Sequence, residues 1–530
     1  MRSGTVTGGI ISAYQSEIGE GPDRFAQLLR AEWTKFRTIR GWLAGMIIAA
    51  VVTVGIAALD HASCGGIVVP GGSVTTGQGC SSPVGPGGEA VTDSAYLVHQ
   101  PLAGNGSITV RLTSLTGQSA GAASAGTTAL QPWSKAGIII KASTRPGSAY
   151  AAVMVTGARR VRMQYDYTGD IAGPPGPVSP DSPRWLRLTR SGDTVTGYES
   201  ADGTRWHVVG TVRLAGLPAT ALAGLFAASP AGSESAASSS ISGSSGGSGM
   251  NLATAIFDHV SLSGGQPGQT WAGDDVGGNA GAPTGTGFHQ AGGTFSVTGS
   301  GDIAPDVPAA PGGGGGFAIE HTLLGIFGAL VAVIVVAAMF MTAEYRRGLI
   351  KVTLAASPRR GRVLAAKAVV VGSVSFLAGL AGSVAALLAG EHLLRSNGNF
   401  IMPVSTLTEV RVVAGTAALT AVTAILALAV GALLRSGAAA VTLVISVVVL
   451  PYLLENTVLP AGAADWVLRI TPVAGFAIQQ SLPQYPQVAA SYTPANGYFP
   501  LAPWAGFAVL CGYAALALAV AVIMLRRRDA

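Results

Sequence analysis

Two stretches of the 530-residue chain spell Gly-x-Ser-x-Gly, the turn that presents a nucleophilic serine in many hydrolases: Gly117-Gln118-Ser119-Ala120-Gly121 and Gly243-Ser244-Ser245-Gly246-Gly247. That chemistry needs a strand entering the turn and a helix leaving it, so that the hydroxyl is held at a sharp bend. Both copies read as Gly-, Ser- and Ala-rich loop, and neither is expected to be a nucleophile. Glu391, His392 and Glu409 stand near the ends of apolar runs, where charges reach water cheaply; a proton relay would set them deeper. No Gly-x-x-x-x-Gly-Lys-Ser/Thr occurs, so the chain has no phosphate cradle of the P-loop kind. Asp202-Gly203 reads as a turn, and no paired carboxylates or histidine cluster supports hydrolysis. No catalytic, cofactor-binding or metal-ligating residue is assigned.

The elements around these residues are largely apolar. The chain is 49% hydrophobic and 11% charged, against about 25% charged in an average soluble chain. A helix crosses the hydrocarbon core with about 20 mainly apolar residues, and six stretches qualify: 41 to 59, 318 to 342, 364 to 390, 411 to 434, 437 to 456 and 501 to 525. The intervening 60 to 316 is rich in Gly, Ser, Thr and Pro, with no apolar run of that length.

The net charge of +6 raises the question of nucleic acid, and the placement of the charges excludes it. Of the 32 Lys and Arg, 17 lie in residues 1 to 59, 343 to 367, at Arg435 and in the tail 526 to 530, whereas 60 to 316 holds 12 against 15 acids. Basic residues beside apolar spans mark cytoplasmic flanks. Arg24, Arg30, Lys35, Arg37 and Arg40 precede the first span, so the amino terminus is expected inside. Arg346, Arg347, Lys351, Arg359, Arg360, Arg362 and Lys367 then fall inside between spans two and three, as does the Arg526-Arg527-Arg528 end. Residues 60 to 316 are expected outside. A retained first anchor is preferred over a cleaved signal, because about 40 residues precede the apolar run.

Two inner segments carry more shape than a topology loop requires. Phe25, Leu28, Leu29, Trp33, Phe36 and Ile39 recur at helical spacing among basic residues, which predicts an amphipathic helix at the lipid surface or against a partner. Between spans two and three, 343 to 363 reads as helix, tight turn and helix, with Ser357-Pro358 as cap and first turn.

Outside, β-type runs at 107 to 112, 136 to 141, 149 to 156, 160 to 167, 185 to 190, 194 to 200, 206 to 212, 222 to 228 and 255 to 262 predict a two-sheet sandwich. Trp133, Trp185 and Trp206 are expected in its core. Cys64 and Cys80 lie in an outer Gly-rich linker, where a disulfide closing a loop of about 17 residues would contribute roughly 3 kcal/mol. Cys511 reads as a small apolar residue of the last span.

Leu29-Arg30-Ala31-Glu32-Trp33-Thr34-Lys35, Thr342 to Gly348, Ser357-Pro358-Arg359-Arg360, Ile470-Thr471-Pro472 and the Arg526-Arg527-Arg528-Asp529-Ala530 ending, in this order along six spans, resemble actinobacterial ABC-2 family permeases. The resemblance implies that a separate ATPase subunit, which binds the ATP and Mg, contacts the helix before span one and the loop after span two. Carried over, its contact residues are Glu32, Trp33, Lys35, Glu344, Tyr345, Arg346, Arg347 and Lys351. It also implies a path formed by two copies or two related permeases, and short helices between spans five and six that dip into a bacterial plasma membrane; residues 463 to 480 could do so. Trp133-Ser134-Lys135-Ala136-Gly137, Trp185-Leu186-Arg187-Leu188 and Ser200 to Trp206 resemble concanavalin- or laminin-G-like jelly rolls, many of which bind glycans, which makes glycan or cell-wall contact a candidate role. In those domains the equivalent of Gly292 to Gly299 precedes that of Tyr96 to Leu112, so a circular permutation is expected, with 288 to 304 supplying a strand beside 94 to 99.

The expected architecture is thus an α+β multidomain membrane protein. Residues 1 to 59 form the inner amino terminus, connecting helix and first span; 60 to 90 a linker; 91 to 304 the inserted all-β sandwich; 305 to 317 a Gly/Pro linker; and 318 to 530 spans two to six. The expected function is the membrane-spanning subunit of an exporter for a small or lipid-like molecule. The alternative is an anchored envelope- or carbohydrate-binding or sensing protein, for which six spans and two shaped inner segments are more than anchoring needs.

Overall fold

The computed structural model describes residues 25–59, 82–119, 130–158, 160–230, 251–265, 269–278, 285–308, 316–348, 359–455, 461–488, 490 and 492–527. Two helices open it, α1 (Phe25–Thr38) and α2 (Arg40–Leu59). Fifteen strands follow: β1 (Val91–Asp93), β2 (Ala95–Ser119), β3 (Lys135–Lys141), β4 (Tyr150–Thr156), β5 (Arg160–Tyr165), β6 (Gly169–Pro175), β7 (Arg184–Ser191), β8 (Thr194–Ser200), β9 (His207–Arg213), β10 (Thr220–Ala228), β11 (Asn251–Gly265), β12 (Ala272–Val276), β13 (Gly287–Ala291), β14 (Thr294–Gly299) and β15 (Ile303–Pro305). A 3-10 turn, Ile319–Leu323, leads into α3 (Ile326–Arg346), then α4 (Arg360–Ser396), α5 (Thr406–Leu434), α6 (Gly437–Val448), α7 (Leu450–Glu455), α8 (Ala461–Ile470), a 3-10 stretch Pro472–Gln479, and α9 (Pro503–Arg527).

Each of the nine predicted β runs falls within or overlaps a strand, but the long strand β2 decides the architecture. Its first half pairs with β10 and β12, and its second half with β7 and β11. Gly104, at φ +69°, sits where the halves diverge; a left-handed backbone suits glycine, which has no Cβ to clash. One layer therefore runs β6-β5-β4-β3-β10-β2-β12, and the other β9-β8-β7-β2-β11-β14-β13. Val98, Ile138, Ile140, Val153, Met163, Leu186, Leu188, Leu225, Phe257 and Val297 fill the space between them.

Three expectations for this domain are corrected. The strands beside 95–99 are β10 and β12, whereas Thr294–Gly299 lies between β11 and β13, so the permuted pairing expected for 288 to 304 does not form. The two domain ends nevertheless meet through β1 and β15. Trp133, Trp185 and Trp206 are half-buried at the surface, under the guanidinium groups of Arg162, Arg111 and Arg187 at 5.2, 5.8 and 3.9 Å. Mainly aliphatic side chains, with Met163, Phe257 and Phe295, fill the gap between layers, and the indoles instead gain cation–π partners. Finally, β2 continues through Ser119, so the first Gly-x-Ser-x-Gly stretch begins on a strand.

Five helices among the described residues are long and apolar enough to cross a membrane: 40–59, 319–346, 360–396, 406–434 and 503–527. The sixth expected stretch, 437 to 456, forms two shorter helices, because Pro451 has no N–H to continue the ladder. Ser405 and Ser436 cap α5 and α6 by accepting from the Thr408 and Ala439 amides. α3 and α5 are the most buried, while α2 and α9 leave Ile47, Ile48, Val51, Leu516, Val520 and Ile523 exposed, as lipid-facing helices do. The 463 to 480 region breaks at Thr471 into α8 and the 3-10 stretch, all eight residues of which are buried. Ala304 and Val307 at the sandwich exit pack with Val488 and Tyr498, and Gln487 donates to the Thr168 carbonyl.

Candidate functional site

At the start of the chain, helical spacing puts Glu32, Lys35 and Phe36 on the face of α1 that meets the other helices. Phe36 is buried and stacks edge-on against Phe340 of α3, with Trp42 of α2 beside both. This aromatic seat brings Glu32 next to Glu344, near the end of α3, and Lys367, about two turns into α4. The Lys367 ammonium donates to Glu32 Oε2 at 2.7 Å and to Glu344 Oε1 at 2.6 Å. It also lies 4.7 Å from the Phe340 ring. Lys35 closes the circuit at 2.8 Å from Glu32 Oε1 and 3.1 Å from Glu344 Oε1.

Two carboxylates and two ammoniums thus neutralise one another where three helices converge. Burying any one of these charges alone would be costly, and the reciprocal hydrogen bonds offset that cost. Lys35 sits at the rim: burial works against its charge, but Glu32 and Glu344 outweigh it and raise its pKa. The arrangement fastens α1 to the membrane helices as one body.

The eight predicted contact residues separate accordingly. Glu32 and Glu344 are buried, 2% and 8% exposed, and their carboxylates are spent inside the chain. Trp33 is 46% exposed, and Arg346 and Arg347 are exposed at the end of α3. Tyr345 is half-buried, with the Arg435 guanidinium 5.3 Å over its ring; Arg435 takes a left-handed φ of 56° at the end of α5 to reach it. Lys351, the Ser357-Pro358 cap, Cys64 and Cys80 lie outside the described residues. Lys367 is the functional residue that flank charge alone concealed: a lysine followed by an unbroken apolar run needs a buried partner, and that signal was present in the sequence.

A helix length away, roughly 30 Å along α3, the end of the helices nearest the sandwich encloses a cavity of about 320 Å³. Phe327 and Phe476 stack at 4.8 Å on one wall, and Tyr452 lies 4.4 Å from Phe327. Glu320, Gln479 and Asn496 are among the polar residues that line it.

A family model described as ABC-2 family transporter protein matches residues 119–530, from the end of β2 through the last helix. The chain belongs to the ABC-2 transporter family. This ABC-2 protein is therefore a multi-pass membrane protein of a transporter family, with a large β-sandwich among its apolar helices. No curated protein matches the sequence. Among solved structures, a mutant of the GH43 protein BlXynB from Bacillus licheniformis is similar at 17% identity over 23% of this chain and 24% of its own, with a TM-score of 0.17. Scytalido-glutamic peptidase with a peptide-based transition state analog is similar at 9% identity over 40% of this chain and 100% of its own, with a TM-score of 0.24. A functionally unknown protein from Saccharomyces cerevisiae is similar at 15% identity over 35% of this chain and 83% of its own, with a TM-score of 0.21. The chain spans about a quarter of the first of these structures. Scores this low carry nothing about the chemistry of the ABC-2 chain.

Proposed function

We propose that this ABC-2 chain is the membrane-spanning subunit of an exporter driven by a separate ATPase subunit, which binds the ATP and Mg. It works as a pair, with a second copy or a related permease, in a bacterial plasma membrane. Both termini face the cytoplasm and residues 60 to 316 face outward, as the basic flanks require. The cargo is a small or lipid-like molecule.

The observation that carries the reading is the Lys367 junction. A partner pushing on the exposed side of α1 at Trp33, or on Arg346 and Arg347, acts on a body already locked to α3 and α4. Displacement there reaches the spans without loss in a loose hinge. Glu32 and Glu344 are accordingly positioning residues, and the docking face includes Trp33, Arg346 and Arg347.

The test is co-purification with the ATPase subunit and ATP-dependent transport in vesicles. Trp33→Ala combined with Arg346→Glu and Arg347→Glu is expected to abolish association while leaving the thermal midpoint unchanged. If no ATPase associates with the wild-type chain, or this variant associates normally, the reading fails.

A further inference from the structure

The cavity at the sandwich end of the helices is lined mainly by aromatic and aliphatic side chains, with no Lys or Arg among the lining residues. Phe317, Phe327, Tyr452 and Phe476 present ring surfaces to it, and about 320 Å³ falls at the small-molecule end of ligand-pocket sizes. Glu320 brings the one carboxylate of the lining. Its Oε1 accepts from the Ser481 amide at 3.2 Å, and its Oε2 is enclosed, with the equally buried Ser481 hydroxyl beside the carboxylate. Arg411 directs its guanidinium to the Gln480 carbonyl at 2.6 Å, and the imidazole of the lining belongs to His321. Among the described residues no Lys or Arg forms an ion pair with Glu320, so the cavity holds a carboxylate beside aromatic rings without a fixed counter-charge, and a cation is the ligand class that would supply one.

The backbone around Glu320 is built to keep the carboxylate there. Gly497 has φ +84°, and a Cβ on it would overlap Glu320 Oε1. Tyr498, the next residue, packs with Val307 at the sandwich exit, so the same turn that accommodates the carboxylate is anchored to the external domain.

We propose that this cavity binds a monovalent hydrophobic organic cation, its charge toward Glu320 and its apolar body among Phe327, Tyr452 and Phe476. Ring faces attract cations, and a carboxylate in low dielectric discriminates sharply against anions. A neutral lipid chain would fill the space but leave Glu320 unmatched. As an assignment of cargo class this rests on the exporter reading; as a binding site it rests on the cavity itself.

The experiment uses the purified full chain in lipid nanodiscs, without ATPase, and two probes of matched size and opposite charge, tetraphenylphosphonium and tetraphenylborate. Saturable binding of the cation above that of empty nanodiscs is expected, with no competition from the anion. Binding should weaken about tenfold or more in Glu320→Gln, survive in Glu320→Asp, and weaken in Phe476→Ala. Absence of saturable cation binding, equal binding of the anion, or an unaffected Glu320→Gln overturns the proposal. The probe pair on the wild-type chain decides even if a variant fails to fold. Loss of cation binding while the ATPase still co-purifies removes the cargo class alone. Cation binding without ATPase association supports the site and removes the exporter reading.

Discussion

Replacing Lys367 with methionine keeps an unbranched, helix-favouring side chain in α4 and deletes only the charge. Glu32 and Glu344 each lose an ammonium at 2.7 and 2.6 Å and keep only Lys35, whose side chain is 40% exposed. Removing one partner of a buried ion pair costs about 3–5 kcal/mol, and because Lys35 still reaches both carboxylates the lower end applies. At about 2–4 °C per kcal/mol for a unit of this size, 3 kcal/mol lowers the thermal midpoint by about 6–12 °C. Lys35→Met removes a rim charge of the kind worth about 0–1 kcal/mol, so its midpoint should fall by less than about 4 °C. Adding Glu32→Gln to Lys367→Met restores charge balance and should recover part of the loss, a coupling readable in a double-mutant cycle. Tryptophan-fluorescence melts of detergent-solubilised protein measure these midpoints, with Glu32→Gln alone completing the cycle. If Lys35→Met costs as much as Lys367→Met, or Glu32→Gln makes the double variant worse, the buried-circuit argument is wrong.

Other outcomes follow from single contacts. Asp258 is held below the usual carboxylate range by hydrogen bonds from Arg111 at 2.7 and 2.6 Å; a depressed carboxyl stabilises the fold above its unfolded pKa, about 3.9, and loses that contribution as pH falls through the folded value. Arg111→Met should therefore lower stability by about 1 kcal/mol at pH 7, with the gap to wild type closing in melts below about pH 4; a constant gap down to pH 2 contradicts it. Asp93→Ala strands the buried Lys141, which donates to Asp93 Oδ2 at 2.7 Å, and frees Tyr167, at 2.6 Å; about 3 kcal/mol should be lost, measured as early proteolysis of the sandwich. Gly506→Val in α9 would drive a side chain into the Ala474 carbonyl of the 3-10 stretch, and a cost of about 1–3 kcal/mol should appear as a lowered midpoint.

Much of the plan was legible in order along the chain, because apolar run length, charge placement and alternating β patterns are local properties. Apolar stretches named the long helices, and short β-branched runs named strands such as β3, β4 and β8. The 437 to 456 stretch reads as one apolar run because hydropathy counts Pro451 as one more residue, whereas a proline nitrogen has no hydrogen for the ladder and the helix changes from Gly437–Val448 to Leu450–Glu455 beside it. The tryptophans misled because size alone does not say which side of a strand faces the opposite layer. Pairing of β14 with β11 rather than near 95–99 depended on β12, a short polar strand, Ala-Gly-Asp-Asp-Val, with no hydrophobic signature.

By itself the sequence determined that α1 would be amphipathic and basic and that Glu32, Lys35 and Glu344 would lie in helical segments flanking apolar runs. Only the tertiary structure decided that these carboxylates turn inward. Residues 32 and 367 are 335 positions apart and residues 344 and 367 are 23 apart, and which charges meet depends on how Phe36, Trp42 and Phe340 seat α1 against α3. The same holds for the cavity: Phe327, Tyr452, Phe476 and Asn496 come from four separate elements, and no local pattern shows that they converge around Glu320. Periodicity is written in neighbours along the chain, whereas a site is written in neighbours across it.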